Sequence, residues 1–368
     1  MLIGIDASRI ATEEKTGTEN YSYNLITTLI ALDKKNRYVL YFNNIPPFFE
    51  INQPNVSTKI LRAPRFWTQG RLAWECLLRP PDILFVPAHT IPVVRRPNLK
   101  TIVTIHDLGA QFLAEYHKLP QKLYLNWSTK YASIAASHLI AVSKFTKKDL
   151  MRTLKVLSNR ISVVHEAVNK EHFFPRTKHE IAQTRAKYGL AGRYFTYVGT
   201  IQPRKNLLRL IEAFAKANFE NIDLVLIGSN GWLNEDIYKA PEKFNVSNHV
   251  RFLGYVPDED LPALYSGAIA LTFPSLYEGF GLPILEAFAC NCPVLTSNDG
   301  ATTEVAEKAA LLVDPLDTSN IASGMKKLAT NNKLREELIN KGIERVGDFS
   351  WERSAKDTLK VIERVYKQ

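Results

Sequence analysis

The sequence predicts an α/β protein built from two doubly wound units, each a parallel sheet wrapped by helices. Three observations carry this. Short apolar runs alternate with helix-spaced stretches along the chain. At 368 residues, 45% of them apolar, the chain can bury two sizeable cores. A second strand–loop–helix series starts afresh at Tyr194, after the polar, proline-bearing segment Asn169–Arg176.

In order, Met1–Ser8 reads as a buried first strand, with no basic leader and no long apolar run that would mark a signal peptide. The loop Lys15–Asn20, with Gly17, leads into a helix over Tyr21–Leu32. That geometry suits a phosphate at the carboxyl edge of a parallel sheet; an unliganded surface loop is the plain alternative. Tyr38–Phe42 is the second strand, and 43–65 read as loop. A short helix over Leu72–Leu78 and a strand over Asp82–Val86 follow, then the turn Pro87-Ala-His-Thr-Ile-Pro92. The strand Thr101–Ile105 delivers His106 and Asp107 at its carboxyl end, where such sheets place ligand chemistry. Asp107 can orient His106 or cap the next turn. His138–Val142 is a strand, Ser143 caps the helix after it, and Ile161–Val168 closes the first half.

In the second half, a charged helix over 178–188 precedes the strand Tyr194–Val198, which ends in Gly199-Thr-Ile-Gln-Pro-Arg-Lys-Asn206 before the helix Leu207–Ala217. Adjacent cations at the lip of a strand–loop–helix suit a diphosphate, arginine through its planar fork and lysine as a point charge; an ordinary surface pair is the plain alternative. Asp223–Gly228 and Val250–Val256 are further strands. Asp258-Glu-Asp260 looks like a metal-binding Asp-x-Asp but reads better as an N-terminal cap, with Asp258 at the N-cap and Glu259 and Asp260 in the first turn. No metal site is expected.

The second half centres on Phe273-Pro-Ser-Leu-Tyr-Glu-Gly-Phe-Gly-Leu-Pro-Ile-Leu-Glu-Ala-Phe-Ala-Cys290. The apolar run Ala268–Phe273 is a strand, Gly279 and Gly281 permit a tight turn close to a ligand, and Pro283 opens a helix. Such a helix start favours phosphate. Glu278 precedes the loop, and Glu286 lies one turn into the helix. Cys290 and Cys292 have no second ligand pair and read as buried structural thiols.

This stretch resembles the Glu-x7-Glu signature of the retaining glycosyltransferases of family 4, which have the GT-B fold. Pro87–Pro92, Val142–Leu150, Gly199–Asn206 and Glu304–Ala306 resemble that family too, so the likeness spans nearly the whole chain. It implies two facing Rossmann-like domains with a cleft between them, residues 1–172 with 350–368 forming the acceptor side and 173–349 holding a nucleotide-sugar. It implies transfer of a hexose, with retention, to a glycan or lipid-linked hydroxyl. Catalytic roles fall on Glu278, His106, Lys205 and Arg204, with His106 beside the donor sugar. Donor contacts fall on Gly17, Tyr255, Val256, Gly279, Phe280, Gly281, Leu282 and Glu286, and an acceptor-side role on His89. No cofactor or metal is implied beyond the sugar nucleotide. The Gly-Thr-x-x-Pro-Arg-Lys-Asn form resembles bacterial mannosyltransferases of surface polysaccharide assembly and favours GDP-mannose. The sequence departs from the family at Glu19-Asn20, at Thr200, where many relatives carry arginine, and at Glu166-Ala167.

The net charge of +10 falls entirely within residues 1–171, which carry 23 Lys+Arg against 13 Asp+Glu. A basic half invites an anionic partner, and here the expectation is peripheral contact with an anionic inner-membrane face rather than nucleic acid. Three cysteines and the lack of a ~20-residue apolar run fit a cytoplasmic protein. Two rivals remain at this stage. A sugar-nucleotide epimerase would need an acid/base set in the second half, where His249 is the one histidine after His179. A non-catalytic nucleotide-sugar or polyanion binder would need only the basic surface. The lack of Gly-x-Gly-x-x-Gly after either first strand speaks against an NAD-dependent enzyme.

Overall fold

The computed structural model describes residues 1–11, 17–45, 53–63, 66–109 and 119–368, with side chains in the last segment from 126 onward. The chain divides into two units. The first contains Met1–Leu108, Leu119–Glu166 and Ser350–Gln368, and the second is built on Ala167–Phe349.

The first unit carries seven parallel strands in the order β3-β2-β1-β4-β5-β6-β7. They are β1 (Leu2–Asp6), β2 (Arg37–Phe42), β3 (Val56–Ile60), β4 (Ile83–Val86), β5 (Lys100–Ile105), β6 (His138–Ala141) and β7 (Ile161–Val163). The central strands are near-continuous apolar runs because helices cover both faces of such sheets. Ile3, Ile5, Leu84, Phe85, Ile102, Val103, Leu139 and Ile140 are all fully buried. β3 corrects the loop expected over 43–65. It is an edge strand with exposed Ser57, Thr58 and Ile60, so no apolar run announces it. The short helix Ala73–Leu78 extends backwards as a π-turn over Thr68–Leu72.

The last helix, Trp351–Lys367, belongs to this unit. Ser354 Oγ donates to the His165 carbonyl at 2.6 Å, and Arg364 Nη2 reaches Ser162 Oγ at 2.8 Å. Ser350 caps its start, accepting from Arg353 N.

The second unit carries six parallel strands in the order β10-β9-β8-β11-β12-β13. They are β8 (Arg193–Val198), β9 (Ile222–Ile227), β10 (Val250–Gly254), β11 (Leu271–Phe273), β12 (Val294–Ser297) and β13 (Leu311–Val313). β11 is shorter than the apolar run 268–273. The helix Glu235–Lys243, with Pro241 inside it, has no counterpart in the sequence reading.

In each sheet the strand order reverses once, between β1 and β4 and between β8 and β11. Ligands of open α/β sheets bind beyond the carboxyl ends of the strands at such reversals. Those positions hold most of the residues singled out above.

Candidate functional site

In the second unit, β8 ends at Gly199 and the chain makes a 3-10 turn over Pro203–Lys205. The turn is pinned to the end of β11. Asn206, left-handed at φ 64°, donates from its side chain to the Pro274 carbonyl at 2.9 Å and the Pro315 carbonyl at 2.6 Å. The Leu276 amide donates to the Arg204 carbonyl at 3.0 Å. Glycine is required where β8 and β9 end together, since a Cβ on Gly228 would lie 2.0 Å from the Gly199 carbonyl oxygen.

This scaffold brings three expected residues together across the sheet's reversal. Lys205 Nζ lies 2.6 Å from Glu278 Oε1, and Arg204 Nη1 lies 3.2 Å from Glu278 Oε2. Arg204 Nη1 also donates to the Tyr277 carbonyl. Lys205 and Glu278 are each only 8% exposed. The Phe273 ring lies 5.2 Å from the Lys205 ammonium, with Tyr197 stacked on Phe273. Burial pushes the Glu278 carboxyl up, but the Lys205 and Arg204 charges outweigh it and hold the group below the usual carboxylate range. A buried pair of this kind adds little net stability, because desolvation costs about what the attraction returns. Two cations sharing one carboxylate leave one net positive charge, which suits an anion that carries more than one negative charge.

Gly281 uses its freedom, at φ 118°, to turn the chain into the helix Leu282–Ala289. Gly279 is not in the left-handed region, so one glycine rather than two makes the turn. Pro283 is the second residue of the helix. The Phe280 side chain packs edge-on to Phe349 at 5.8 Å and is 4% exposed, so only its backbone can serve a ligand.

Glu286 sits in a different environment from Glu278. Its Oε2 accepts from the Tyr265 hydroxyl at 2.8 Å, and no lysine or arginine forms an ion pair with it among the described residues. Burial raises its carboxyl to about 7, Tyr265 pulls it down and the charge of Asp258 pushes it up. The two signature carboxylates therefore differ in charge state near neutrality, which their spacing does not reveal. Tyr265, from the helix Leu261–Ser266, was not singled out by sequence. It reads there as one more apolar core position.

Tyr255 is 48% exposed and Val256 3%, just past β10. The expected cap at Asp258 is corrected. Asp258–Asp260 form a 3-10 turn preceded by Pro257, and Asp260 occupies the N-cap of the following helix without a side-chain capping bond. The Asp260 carboxylate instead receives Lys187 Nζ and the Tyr188 hydroxyl, both at 2.6 Å. Among the described residues no group of three or more His, Cys, Asp or Glu side chains could hold a metal. Cys290 and Cys292 are buried free thiols. His249 pairs with Asp223 at 3.2 Å near the amino ends of β9 and β10, the edge of the sheet opposite Glu278. His249, the histidine an epimerase acid/base set would draw on, is therefore remote from Glu278, while His172 is engaged with the Asp258 carbonyl at 2.8 Å.

In the first unit, the carboxyl ends of β4, β5 and β7 gather a second cluster. His106 Nδ1 lies 3.0 Å from Glu166 Oε1, and its Nε2 lies 2.9 Å from the Pro87 carbonyl. Glu166, noted in sequence only as a departure, takes the orienting place offered to Asp107. Tyr21 packs edge-on to His106 at 4.6 Å and hydrogen-bonds Thr104. The His89 ring is 5.6 Å from that of His106. Burial and the neighbouring His106 lower His89 to about 4. Gly17 is the first residue of the helix Gly17–Leu32, and an added Cβ there would meet nothing within 4 Å. Lys15 and Thr16 of its loop lie outside the described residues. Glu19 is buried and pairs with Arg9 at 3.2 Å, which gives this departure a structural role.

Comparison with known proteins finds matches to both halves of the chain. A family profile described as Glycosyltransferase Family 4 matches residues 15–172, and one described as Glycosyl transferases group 1 matches 180–345. The O-antigen chain mannosyltransferase B of Escherichia coli is 33% identical over 264 residues, 71% of this chain and 69% of that protein. Among solved structures, the sucrose-phosphate synthase of Thermosynechococcus elongatus superposes with a TM-score of 0.78 at 21% identity, over 100% of this chain and 99% of that one. Anabaena HepE, in complex with UDP and glucose, gives 0.74 at 16% identity, over 99% of each chain.

Proposed function

Since the chain belongs to glycosyltransferase family 4 and is a glycosyltransferase of the GT-B fold, we propose that it moves mannose from GDP-mannose, with retention, to a glycan or lipid-linked hydroxyl. The observation that carries the donor half of this reading is the buried Lys205–Glu278–Arg204 cluster at the reversal between β8 and β11. A diphosphate leaving group gains negative charge as the glycosidic bond breaks. Preorganised cations in a water-poor site stabilise that charge without reorganising.

The roles follow from the environments. Arg204 and Lys205 meet the diphosphate. Glu278, kept ionised by them, accepts from sugar hydroxyls and stabilises positive charge at the reacting carbon. Backbone N–H groups of Phe280, Gly281 and Leu282 meet diphosphate or sugar at the helix start. Glu286 accepts from the ribose hydroxyls, while backbone at Tyr255 and Val256 receives the base. His106, His89 and Gly17 belong to the other unit and serve the sugar and acceptor. The two cations do what a metal does in other transferases, so EDTA leaves turnover unchanged in this reading. The mannose assignment is supported by the E. coli relative and by the form of the 199–206 loop. Bound UDP in the Anabaena neighbour supports a nucleotide-sugar as the donor class.

For the acceptor, the basic first half supports contact with an anionic membrane face. Each well-placed lysine or arginine adds about 1 kcal/mol there. No helix among the described residues is long and apolar enough to cross a membrane.

The test is a thermal-shift panel of GDP-mannose, UDP-glucose, UDP-N-acetylglucosamine, GDP, UDP and NAD. A ligand at about 100 times its dissociation constant adds roughly 2.7 kcal/mol to stability. A selective rise with GDP-mannose, lost in Glu286→Ala, is the expected result. A rise with a uridine nucleotide alone overturns the donor assignment. A flat response to every nucleotide favours a non-catalytic polyanion binder.

A further inference from the structure

We propose that Glu166 is a positioning residue that fixes His106 as a doubly protonated imidazolium, so that the first unit's sheet presents a standing positive charge at its carboxyl edge rather than a proton-exchanging base. The inference rests on what each ring nitrogen touches. Nδ1 faces a carboxylate oxygen at 3.0 Å, and Nε2 faces the Pro87 backbone carbonyl at 2.9 Å. A carbonyl oxygen only accepts, and an ionised carboxylate only accepts. A neutral imidazole has one N–H and one bare nitrogen, so it leaves one of these contacts with lone pairs facing each other. Two N–H groups satisfy both.

The surroundings hold the ring in this pose. Tyr21 lies edge-on to it, and the Tyr21 hydroxyl is engaged with Thr104 Oγ1 at 3.1 Å. Thr146 Oγ1 donates to the His106 carbonyl at 3.3 Å. Glu166 is 5% exposed, so its charge is poorly screened by water. Among the described residues, the ionisable groups bearing on the ring from each neighbouring element are few. They are Glu166 after β7, Asp107 beside it, His89 after β4 and Tyr21 from the first helix. Arg9, which bears on His89, is itself paired with Glu19. His89 is driven neutral, so it contributes no second charge. Burial opposes a charged His106, but Glu166, Pro87 and Asp107 together raise its pKa above the ordinary histidine value.

The consequence bears on the proposed reaction, and this clause rests on that reading. A histidine whose two nitrogens are both spent on fixed acceptors cannot take the proton of an acceptor hydroxyl. His106 then acts through its charge and its C–H edge. The departing phosphate oxygen is left to receive that proton, so the O–H and glycosidic C–O bonds break while the new C–O and phosphate O–H bonds form, with no proton lost.

The experiment uses the full chain labelled with 15N at histidine, with His106→Asn to assign the signal. Proton-coupled 15N spectra count protons on each ring nitrogen directly and need no substrate. The expected result is two protonated nitrogens on His106 at neutral pH, retained to higher pH than on the exposed histidines. Glu166→Gln keeps an acceptor for Nδ1 but removes the charge, and the titration of His106 then moves down by at least about one pH unit. Glu166→Asp restores part of the shift. In transfer assays at saturating donor, kcat of Glu166→Gln falls about tenfold with rising pH over a range where wild-type kcat stays flat, and at any one pH its KM differs from wild type by less than about twofold. One bare ring nitrogen in wild type at neutral pH overturns the proposal. So does a Glu166→Gln titration identical to wild type. If Glu166→Gln does not fold, the wild-type spectrum and Glu166→Asp decide alone. Absence of transfer activity, with the spectra as expected, defeats the transferase reading and leaves the imidazolium standing.

Discussion

In the proposed reading Glu286 contacts the nucleotide, and its raised carboxyl then makes donor binding pH-sensitive in a calculable way. Its carboxyl is raised to about 7 by burial, whereas the ordinary value is 4.5. One Glu286 oxygen already accepts from Tyr265, so the other must be a charged acceptor to hold the ribose hydroxyls. Protonation turns an oxygen into a donor and removes the charge, and the ionised form is the one that binds ribose in this reading. At pH about 5, two units below that value, only about 1% of the free protein carries the charged form. Binding of GDP-mannose then weakens about tenfold per pH unit below 7, close to 100-fold at pH 5, which is about 2.7 kcal/mol. A sugar nucleotide is the right ligand because its diphosphate diester has no ionisation of its own in this range. The assay is isothermal titration across pH 5 to 8, on wild type and Glu286→Gln. The variant loses charge-assisted bonds worth about 1.5–3 kcal/mol each at pH 8 and loses the pH slope with them. The same raised pKa has a stability consequence of opposite sense. Between about 4.5 and 7 the folded state binds the extra proton, so the unliganded protein loses stability as pH rises through that window. The loss is at most about 3 kcal/mol, an upper figure because solvent reaches part of Glu286, and Glu286→Gln removes it. Wild-type binding that is flat from pH 5 to 8, or a Glu286→Gln variant that keeps the slope, refutes the reasoning.

Four further outcomes follow from the geometry. Lys205→Ala removes the closer of two cations on Glu278, 2.6 Å away, and lowers kcat by about 10²–10³ with a smaller change in KM; single-turnover kinetics read this, and unaltered turnover removes Lys205 from leaving-group stabilisation. The same change strands a buried carboxylate beside Arg204 alone and costs about 3–5 kcal/mol, so Lys205→Met with Glu278→Gln should recover the melting temperature but not the activity. Gly281→Ala forces a side chain into φ 118° and places a Cβ 3.2 Å from Ile284 Cδ1, costing about 1–3 kcal/mol in chemical denaturation and weakening nucleotide binding. Ser143→Ala deletes a buried cap that accepts from Thr146 N, and should cost the first unit's transition about 1–2 kcal/mol without altering nucleotide affinity in the second unit.

Much of the fold was legible because its signals are local. Buried parallel strands are apolar runs, and the helix Leu207–Ala217 and the Ser143 cap stand where the residues placed them. β3 and the helix Glu235–Lys243 were not legible. An edge strand with three of five residues exposed and a short helix interrupted by proline carry little periodic signal. The misplaced cap at Asp258 has the same origin. Residue type there fits a cap, but Asp260 is drawn to Lys187 and Tyr188, distant in sequence.

By itself the sequence determined the alternation of strands and helices, the two-unit organisation, the family and the short motifs that carry chemistry. Each of these is written in spacing over a turn or two of backbone. Only the tertiary structure decided what each charged group is paired with. Glu278 and Glu286 lie eight positions apart in one motif, yet one is held ionised by two cations and the other titrates near neutrality against a tyrosine hydroxyl. Glu166, sixty residues from His106, is the group that sets the state of that histidine. A charge's behaviour depends on distance through space and on burial, and both are fixed by how the sheet brings strand ends together rather than by order along the chain.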